Sequence, residues 1–222
     1  IKHDVNKCKA ITGDEWMDNN IKLYNDDCMN IMTNYPDNYF DLAIVDPPYG
    51  LKKAGVQSGG RMKNRAFNRG EVFKWDKQPD KEYFNQLFRV SKNQIIWGGN
   101  YFDLPTYRCV IAWDKCQPFP NFSAVEIAWT SFNKPASLFK FDNRTGNKIH
   151  PTQKPTDLYK WLLEKYAKPT DKILDTHLGS GSSAIASHYF GTTEFIGIEI
   201  DKEYFDMASK RIEEETMQGK LI

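Results

Sequence analysis

No run of about 18 apolar residues, the length a membrane-spanning helix needs, occurs in this 222-residue sequence. The opening stretch, Ile1-Lys2-His3-Asp4, has none of the apolar character of a signal peptide. Cysteine is scarce and scattered. Cys8, Cys28, Cys109 and Cys116 form no C-x-x-C pair, which leaves a zinc site without its ligand spacing. They read instead as small reduced thiols, partly in apolar runs. Neither sign of charge is in excess, since 30 Lys and Arg against 29 Asp and Glu leave a net +1. That excludes a basic coat over the whole surface and an acidic disordered tail. Internal repeats and low-complexity segments are also lacking. The expectation is a soluble, cytoplasmic protein that needs no metal. Its length fits one domain with a core large enough to hold without staples.

The neutral total hides an asymmetry. Residues 51–75 carry seven basic side chains (Lys52, Lys53, Arg61, Lys63, Arg65, Arg69 and Lys74) against one acid, Glu71. The rest of the chain is therefore net negative. With Gly55, Gly59, Gly60 and Gly70 and no apolar periodicity, the segment reads as a long basic surface loop.

Elsewhere short apolar runs alternate with helical patterns, as in an α/β domain with a largely parallel sheet. Strands are expected at 21–25, 42–46, 94–97, 109–113, 124–129, 173–175 and 195–200. Helices are expected at 80–90, at 157–168 with Thr156 as cap and Pro169 as stop, from Ser182 to Gly191, and from Lys202 to about Thr216.

Two motifs carry chemistry. Asp46-Pro47-Pro48-Tyr49 follows the run Leu42–Val45. At the carboxyl end of a strand, a rigid Pro-Pro turn fixes a carboxylate, a donor-free peptide and an aromatic ring relative to one another. Asp-Pro alone is also a common strand-ending turn. The second motif, Ile173 to Ser183, reads strand, Gly-rich turn, helix, with Glu199 ending the next apolar run 20 residues after Gly179. Glycines let a backbone approach a ligand, a helix start offers free N–H groups, and an acid so spaced suits ribose hydroxyls. Only 23 residues follow Glu199, so the sheet is expected to be completed by strands that precede the turn, in a circularly permuted domain. This order speaks against a nucleotide-binding oxidoreductase, which would also leave Asp46–Tyr49 unexplained. A non-catalytic binding module would have no reason to keep both motifs.

In this order the residues resemble the permuted, beta-type amino DNA methyltransferases, the N6-adenine and N4-cytosine enzymes with a D-P-P-Y motif. Asn25-Asp26-Asp27-Cys28 is similar to the family's G-D-C segment, Trp97-Gly98-Gly99-Asn100 to W-G-G-N, Trp113-Asp114-Lys115 to W-x-K, and His150-Pro151-Thr152-Gln153-Lys154-Pro155 to H-P-T-Q-K-P. The likeness runs from about residue 21 to 212. It departs in the cofactor turn, where Thr176 and His177 stand in place of the usual Pro and Phe, and where Asn25-Asp26 precedes Asp27.

The resemblance implies a Rossmann-like, S-adenosylmethionine-dependent methyltransferase fold, with a largely parallel seven-stranded sheet and helices on both faces. It implies an arm at 1–20 and one methyltransferase domain at 21–222. Within the domain lie a catalytic half (21–132), a short recognition or linker segment (133–149) and a cofactor half (150–216). The implied reaction is methyl transfer to the N6 amine of a flipped adenine in DNA, with cytosine-N4 and RNA methylation as alternatives. Asp46 and the Pro47 carbonyl would accept the amine's two N–H groups, Pro48 would stiffen the turn, and Tyr49 would stack on the base. Around S-adenosylmethionine the resemblance sets Asp27, Asp46, Lys154, Asp175, His177, Gly179, Ser180, Gly181 and Glu199. DNA phosphates would meet Lys52, Lys53, Arg61, Lys63, Arg65 and Arg69. A homodimer or a partner subunit fits the family pattern.

Overall fold

The computed structural model describes residues 13–51, 77–117, 123–142, 149–150 and 153–218. Nine strands form one sheet: β1 (Glu15–Asp18), β2 (Ile21–Tyr24), β3 (Phe40–Val45), β4 (Ser91–Trp97), β5 (Val110–Asp114), β6 (Val125–Thr130), β7 (Ser137–Lys140), β8 (Lys172–Asp175) and β9 (Glu194–Ile198). Their order across the sheet is β1-β2-β9-β8-β3-β4-β6-β5-β7. The central five, β2, β9, β8, β3 and β4, are mutually parallel. β1 and β6 run against their neighbours, while β5 and β7 are parallel to each other.

The α/β class expected from the sequence holds, but the sheet has nine strands where seven were expected. The additions are β1, inside the expected N-terminal arm, and β7, inside the expected recognition segment. Both are four-residue strands at the outer edges, with alternate residues exposed. Short, charged edge strands of this kind limit pairing with other chains.

The central strands are buried on both faces, so they read as continuous apolar runs rather than alternating ones. In β3, Leu42, Ala43, Ile44 and Val45 are all at most 2% exposed. One face carries helices α1 (Cys28–Met32) and α2 (Lys81–Val90), whose Ile31, Met32, Tyr83, Phe84 and Leu87 pack with Ala43, Val45 and Leu174. The other carries α3 (Thr156–Tyr166), α4 (Ser182–Phe190) and α5 (Lys202–Gln218), whose Leu158, Leu162, Ile185, Phe205 and Ile212 pack with Leu42, Ile44 and Ile173.

Local chemistry starts these helices. The Asp80 carboxylate accepts the Tyr83 N–H at 3.0 Å, and Asp27 accepts the Met29 N–H at 2.8 Å. For α3 the cap expected at Thr156 is corrected: Thr156 is the first helical residue and Pro155, with no side-chain cap, precedes it. Among the described residues no helix is long and apolar enough to cross a membrane.

Candidate active site

Chain connections leave β3 and β8 in opposite directions, β3 towards β4 and β8 towards β9. The crevice beyond their carboxyl ends is therefore a topological switch point, the place where open α/β sheets bind ligands. Both sequence motifs end there. Asp46 follows β3, Asp175 closes β8, and Glu199 follows β9 one strand further on.

On the β3 side, Asp46 Oδ1 accepts the Tyr49 hydroxyl at 2.6 Å, and Oδ2 pairs with Lys154 Nζ. The Tyr49 ring is fixed by Gly98, which follows β4 with φ +69°; a Cβ there would lie 2.2 Å from Tyr49 Cε1. Only glycine allows both that backbone and that approach. Tyr101 stacks on Tyr49 with centroids 4.9 Å apart, and Phe102 meets it edge-on. Burial, with Asp46 and Glu126 nearby, pushes the Tyr49 hydroxyl well above its ordinary value, so it acts as a neutral donor.

Lys154 is buried, with its ammonium 5.2 Å from the centre of the Trp97 ring and 3.2 Å from Glu126 Oε2. The other Glu126 oxygen pairs with Lys115. Burial works against both charges, yet Asp46 and Glu126 hold the Lys154 ammonium above its usual range. Lys154 and Lys115 in turn hold Glu126 down to about 2.

On the β8 side, buried Asp175 accepts the His177 N–H at 3.1 Å and the Ser183 hydroxyl at 2.6 Å. Burial pushes its carboxyl up to about 7 against those donors, and Asp46 and Glu199 add to the rise. Gly179 and Gly181 hold φ +54° and +76°, and Gly181 ends the turn before α4 without a side-chain cap. Glu199 accepts N–H groups from Gly179 at 2.9 Å and Asp201 at 3.0 Å. Ser180 Oγ lies 3.2 Å from Ser182 Oγ. His177 bonds Thr176 at 2.9 Å and meets Tyr83 edge-on, and burial lowers its imidazole to about 4, so it is neutral near pH 7.

The structure thus gathers Asp46, Pro47, Pro48, Tyr49, Lys154, Asp175, His177, Gly179, Ser180, Gly181 and Glu199 along one edge of the sheet. Asp27 stands at the same edge after β2, where it is exposed and caps α1. Lys52, Lys53, Arg61, Lys63, Arg65 and Arg69 lie outside the described residues. The three core tryptophans, Trp97, Trp113 and Trp129, are buried. Sequence reasoning passed over Glu126, Tyr101 and Arg211. Arg211, on α5, donates to the Ser180 carbonyl at 2.9 Å, to Ser182 Oγ at 3.0 Å and to Thr156 Oγ1 at 3.3 Å. Its one visible signal is a guanidinium beside Ala208 and Ile212 on the apolar face of the last helix. Among the described residues no cluster of His, Cys, Asp and Glu is arranged to hold a metal. A cavity of about 460 Å³ lined by Phe88, Tyr107, Trp129 and Phe132 opens beside the amino half of β4, away from these carboxylates.

A permuted α/β sheet with a carboxylate turn and a glycine-rich turn at its switch point is the arrangement of the Rossmann-like methyltransferase fold. Residues 115–210 match the family model described as DNA methylase. The chain is 27% identical over 254 residues to the Type II methyltransferase M2.MboI of Moraxella bovis, with 90% of each chain covered. It is 27% identical over 247 residues to the Type II methyltransferase M2.DpnII of Streptococcus pneumoniae, covering 89% of this chain and 91% of that one. The fold matches the M1.HpyAVI–SAM complex with a TM-score of 0.57 at 23% identity, over 86% of this chain and 99% of that one. It matches the cytosine-N4-specific PvuII DNA methyltransferase with a TM-score of 0.58 at 14% identity, over 90% and 92%. The chain is thus similar to the N6-adenine/N4-cytosine DNA methyltransferases and, in fold, to a structure solved with S-adenosylmethionine.

The residues present suit that cofactor. At Gly179, with φ +54°, the bare backbone leaves room for just one carbon against the His150 ring, 3.7 Å away. Carboxylates at the ends of β8 and β9 flank the turn, matching a ligand with a cationic amino group and a diol.

Proposed function

We propose that the chain transfers a methyl group to the exocyclic N6 amine of adenine in DNA. The observation that carries this reading is the position of Asp46–Tyr49, whose carboxylate and ring stand at the switch point one strand from the glycine turn. When bound, S-adenosylmethionine supplies an electrophilic methyl group on a sulfonium. The protein's task is to present a nucleophile, and the adenine amine is a poor one because its lone pair is delocalised into the ring. Asp46 and the Pro47 carbonyl each accept one N–H, which turns the lone pair towards the methyl donor. The new N–C bond would form with that lone pair as the donor's methyl–sulfur bond breaks, the sulfur keeping the bonding pair, and the amine's surplus proton would leave by way of Asp46. Tyr49, backed by Tyr101, offers the flat surface on which an extruded base stacks.

Around the cofactor, Glu199 takes the ribose hydroxyls and Asp27 the adenine amine. Asp175, with the Gly179–Gly181 backbone and Ser180, lines the amino-acid end, and His177 packs beside it as a neutral ring. Lys154, already on Asp46, is within the same site. Adenine is favoured over cytosine because the catalytic motif opens on Asp46, where the cytosine-amine enzymes of the permuted class more often carry Ser. The basic residues Lys52 to Arg69 serve the DNA phosphates.

The test is transfer from labelled S-adenosylmethionine to unmodified duplex DNA, followed by digestion to nucleosides. N6-methyladenine is expected, with transfer by Asp46→Ala reduced by at least about 100-fold. Label in N4-methylcytosine would replace the base assignment, and transfer only to RNA would replace the substrate.

A further inference from the structure

Four charges stand in a row at the catalytic end of the sheet, and three of them, on Lys115, Glu126 and Lys154, lie outside the two motifs. Lys115, just after β5, pairs with Glu126 Oε1. Glu126, on β6, pairs through Oε2 with Lys154 at 3.2 Å. Lys154 pairs with Asp46 Oδ2, and Asp46 Oδ1 receives the Tyr49 hydroxyl. Trp97 and Trp113 flank the row, with the Lys154 and Lys115 ammoniums 5.2 and 5.4 Å from their ring centres. Among the described residues, the titratable groups facing Lys154 and Asp46 from the other elements include His150, from the segment before α3, Tyr159, from α3 itself, Tyr83, from α2, and Asp175, at the end of β8.

Each oxygen of Asp46 already holds one partner, and a target amine gains the full strength of the carboxylate only as a partner lets go. Lys154 is the partner able to do so, because it already touches a second carboxylate. Its side chain is 3% exposed, and a buried ammonium stripped of every anion is strongly unfavourable. With two ammoniums and two carboxylates the row is neutral. It stays neutral when an uncharged amine replaces Lys154 on Asp46, provided that Glu126 keeps the ammonium.

We propose that Glu126 is a positioning residue for methyl transfer: it retains Lys154 while Asp46 changes partner from that ammonium to the target amine. The inference rests on the methyl-transfer reading above. Without Glu126, Lys154 has only Asp46 to neutralise it, and the amine must compete with a full charge for the same oxygen.

The experiment compares steady-state transfer to DNA by the wild type, Glu126→Gln and Glu194→Gln. Glu194 holds Lys22 and Tyr39, each at 2.7 Å, at the opposite end of β9 and serves as the control for loss of an ordinary ion pair. Glu126→Gln is expected to lower kcat by roughly 10- to 100-fold while leaving KM for S-adenosylmethionine within about twofold. Glu194→Gln should turn over at the wild-type rate. If the Gln variant does not fold, Glu126→Asp is read by the same split, since its shorter arm draws the charge back from Lys154. Wild-type kcat in the Glu126 variant overturns the proposal, and so does a loss of kcat that Glu194→Gln shares. A change confined to KM overturns it too. A wild type unable to methylate DNA overturns the functional reading and this inference together, whereas an active wild type with an unaffected Glu126 variant overturns this inference alone.

Discussion

The carboxylate group has three different environments within this site. Asp46 is met by an ammonium and a phenol, Glu199 by two backbone N–H groups, and Asp175 by a hydroxyl and one N–H in the deepest burial of the three. Asp175 is the one pushed up to about 7, mainly by burial, so near neutrality it is only partly ionised. A carboxyl with a raised value binds its proton more tightly in the folded state than in the unfolded one. Its contribution to stability is complete below about 3.9, the unfolded value, and is lost as pH rises through about 7. Binding a ligand with a cationic amino group requires the ionised form, so cofactor binding expels a proton in the acidic range. Affinity for S-adenosylmethionine is expected to strengthen by about tenfold per pH unit below pH 7 and to level off above it. Calorimetric titrations across that range check this, and Asp175→Asn should bind weakly with no such slope. A wild-type affinity independent of pH would remove Asp175 from the amino-acid end of the site.

At the scale of elements, the glycine-rich turn is held from outside as well as from within. Arg211 reaches from α5 to the Ser180 carbonyl and Ser182 Oγ, and continues to Thr156 at the start of α3, so one guanidinium joins three helices around the turn. Charged hydrogen bonds of this kind contribute roughly 1.5–3 kcal/mol each when partly buried. Arg211→Met keeps the apolar stem and removes the fork. It should raise the S-adenosylmethionine Kd roughly tenfold, with kcat at saturating cofactor within about twofold. An unchanged Kd alongside a lower Tm would make Arg211 a helix staple only. The elements legible in the sequence were those with a strong period or a doubly buried run, such as α2 with Tyr83, Phe84 and Leu87 on one side, or β3 with Leu42–Val45. β1 and β7 were not, because Glu15–Asp18 and Ser137–Lys140 each place only alternate residues against the core and are too short to show a pattern. The site divides the same way. Asp46, Tyr49, Gly179 and Glu199 are contiguous with strand ends and turns, which sequence marks. Glu126, Tyr101 and Arg211 reach the site through the antiparallel turn of β6 against β4, the 3-10 turn Gly99–Tyr101 and the packing of the last helix, of which only the last leaves a local signal, a guanidinium on an apolar helix face.

Over the whole molecule, charge and topology point to the same edge of the sheet. The window 51–75 has a net charge of +6, so the remainder, at −5, offers a polyanion no general attraction. Residues 52–76 lie outside the described residues, but the chain on either side of them is placed. Gly50 lies so close to Gln78 that a Cβ would be 3.2 Å from the Gln78 Cβ, and Gln78 donates to the Tyr101 carbonyl at 2.6 Å. Gly50 and Gln78, on either side of the basic segment, therefore stand beside the stacked Tyr49 and Tyr101 rings. Each phosphate neutralised contributes about −0.9 to the slope of log K against log salt on duplex DNA. Replacing Arg61, Lys63, Arg65 and Arg69 together by Gln should weaken DNA binding and flatten that slope by about 2 to 4. S-adenosylmethionine affinity should stay at the wild-type value, because the glycine turn lies across the crevice on the β8 side. Fluorescence anisotropy over a salt series measures the first effect and calorimetry the second. A slope identical to the wild type would move the DNA-binding surface elsewhere, and the net negative charge of the remainder would then require a partner chain to supply the cations.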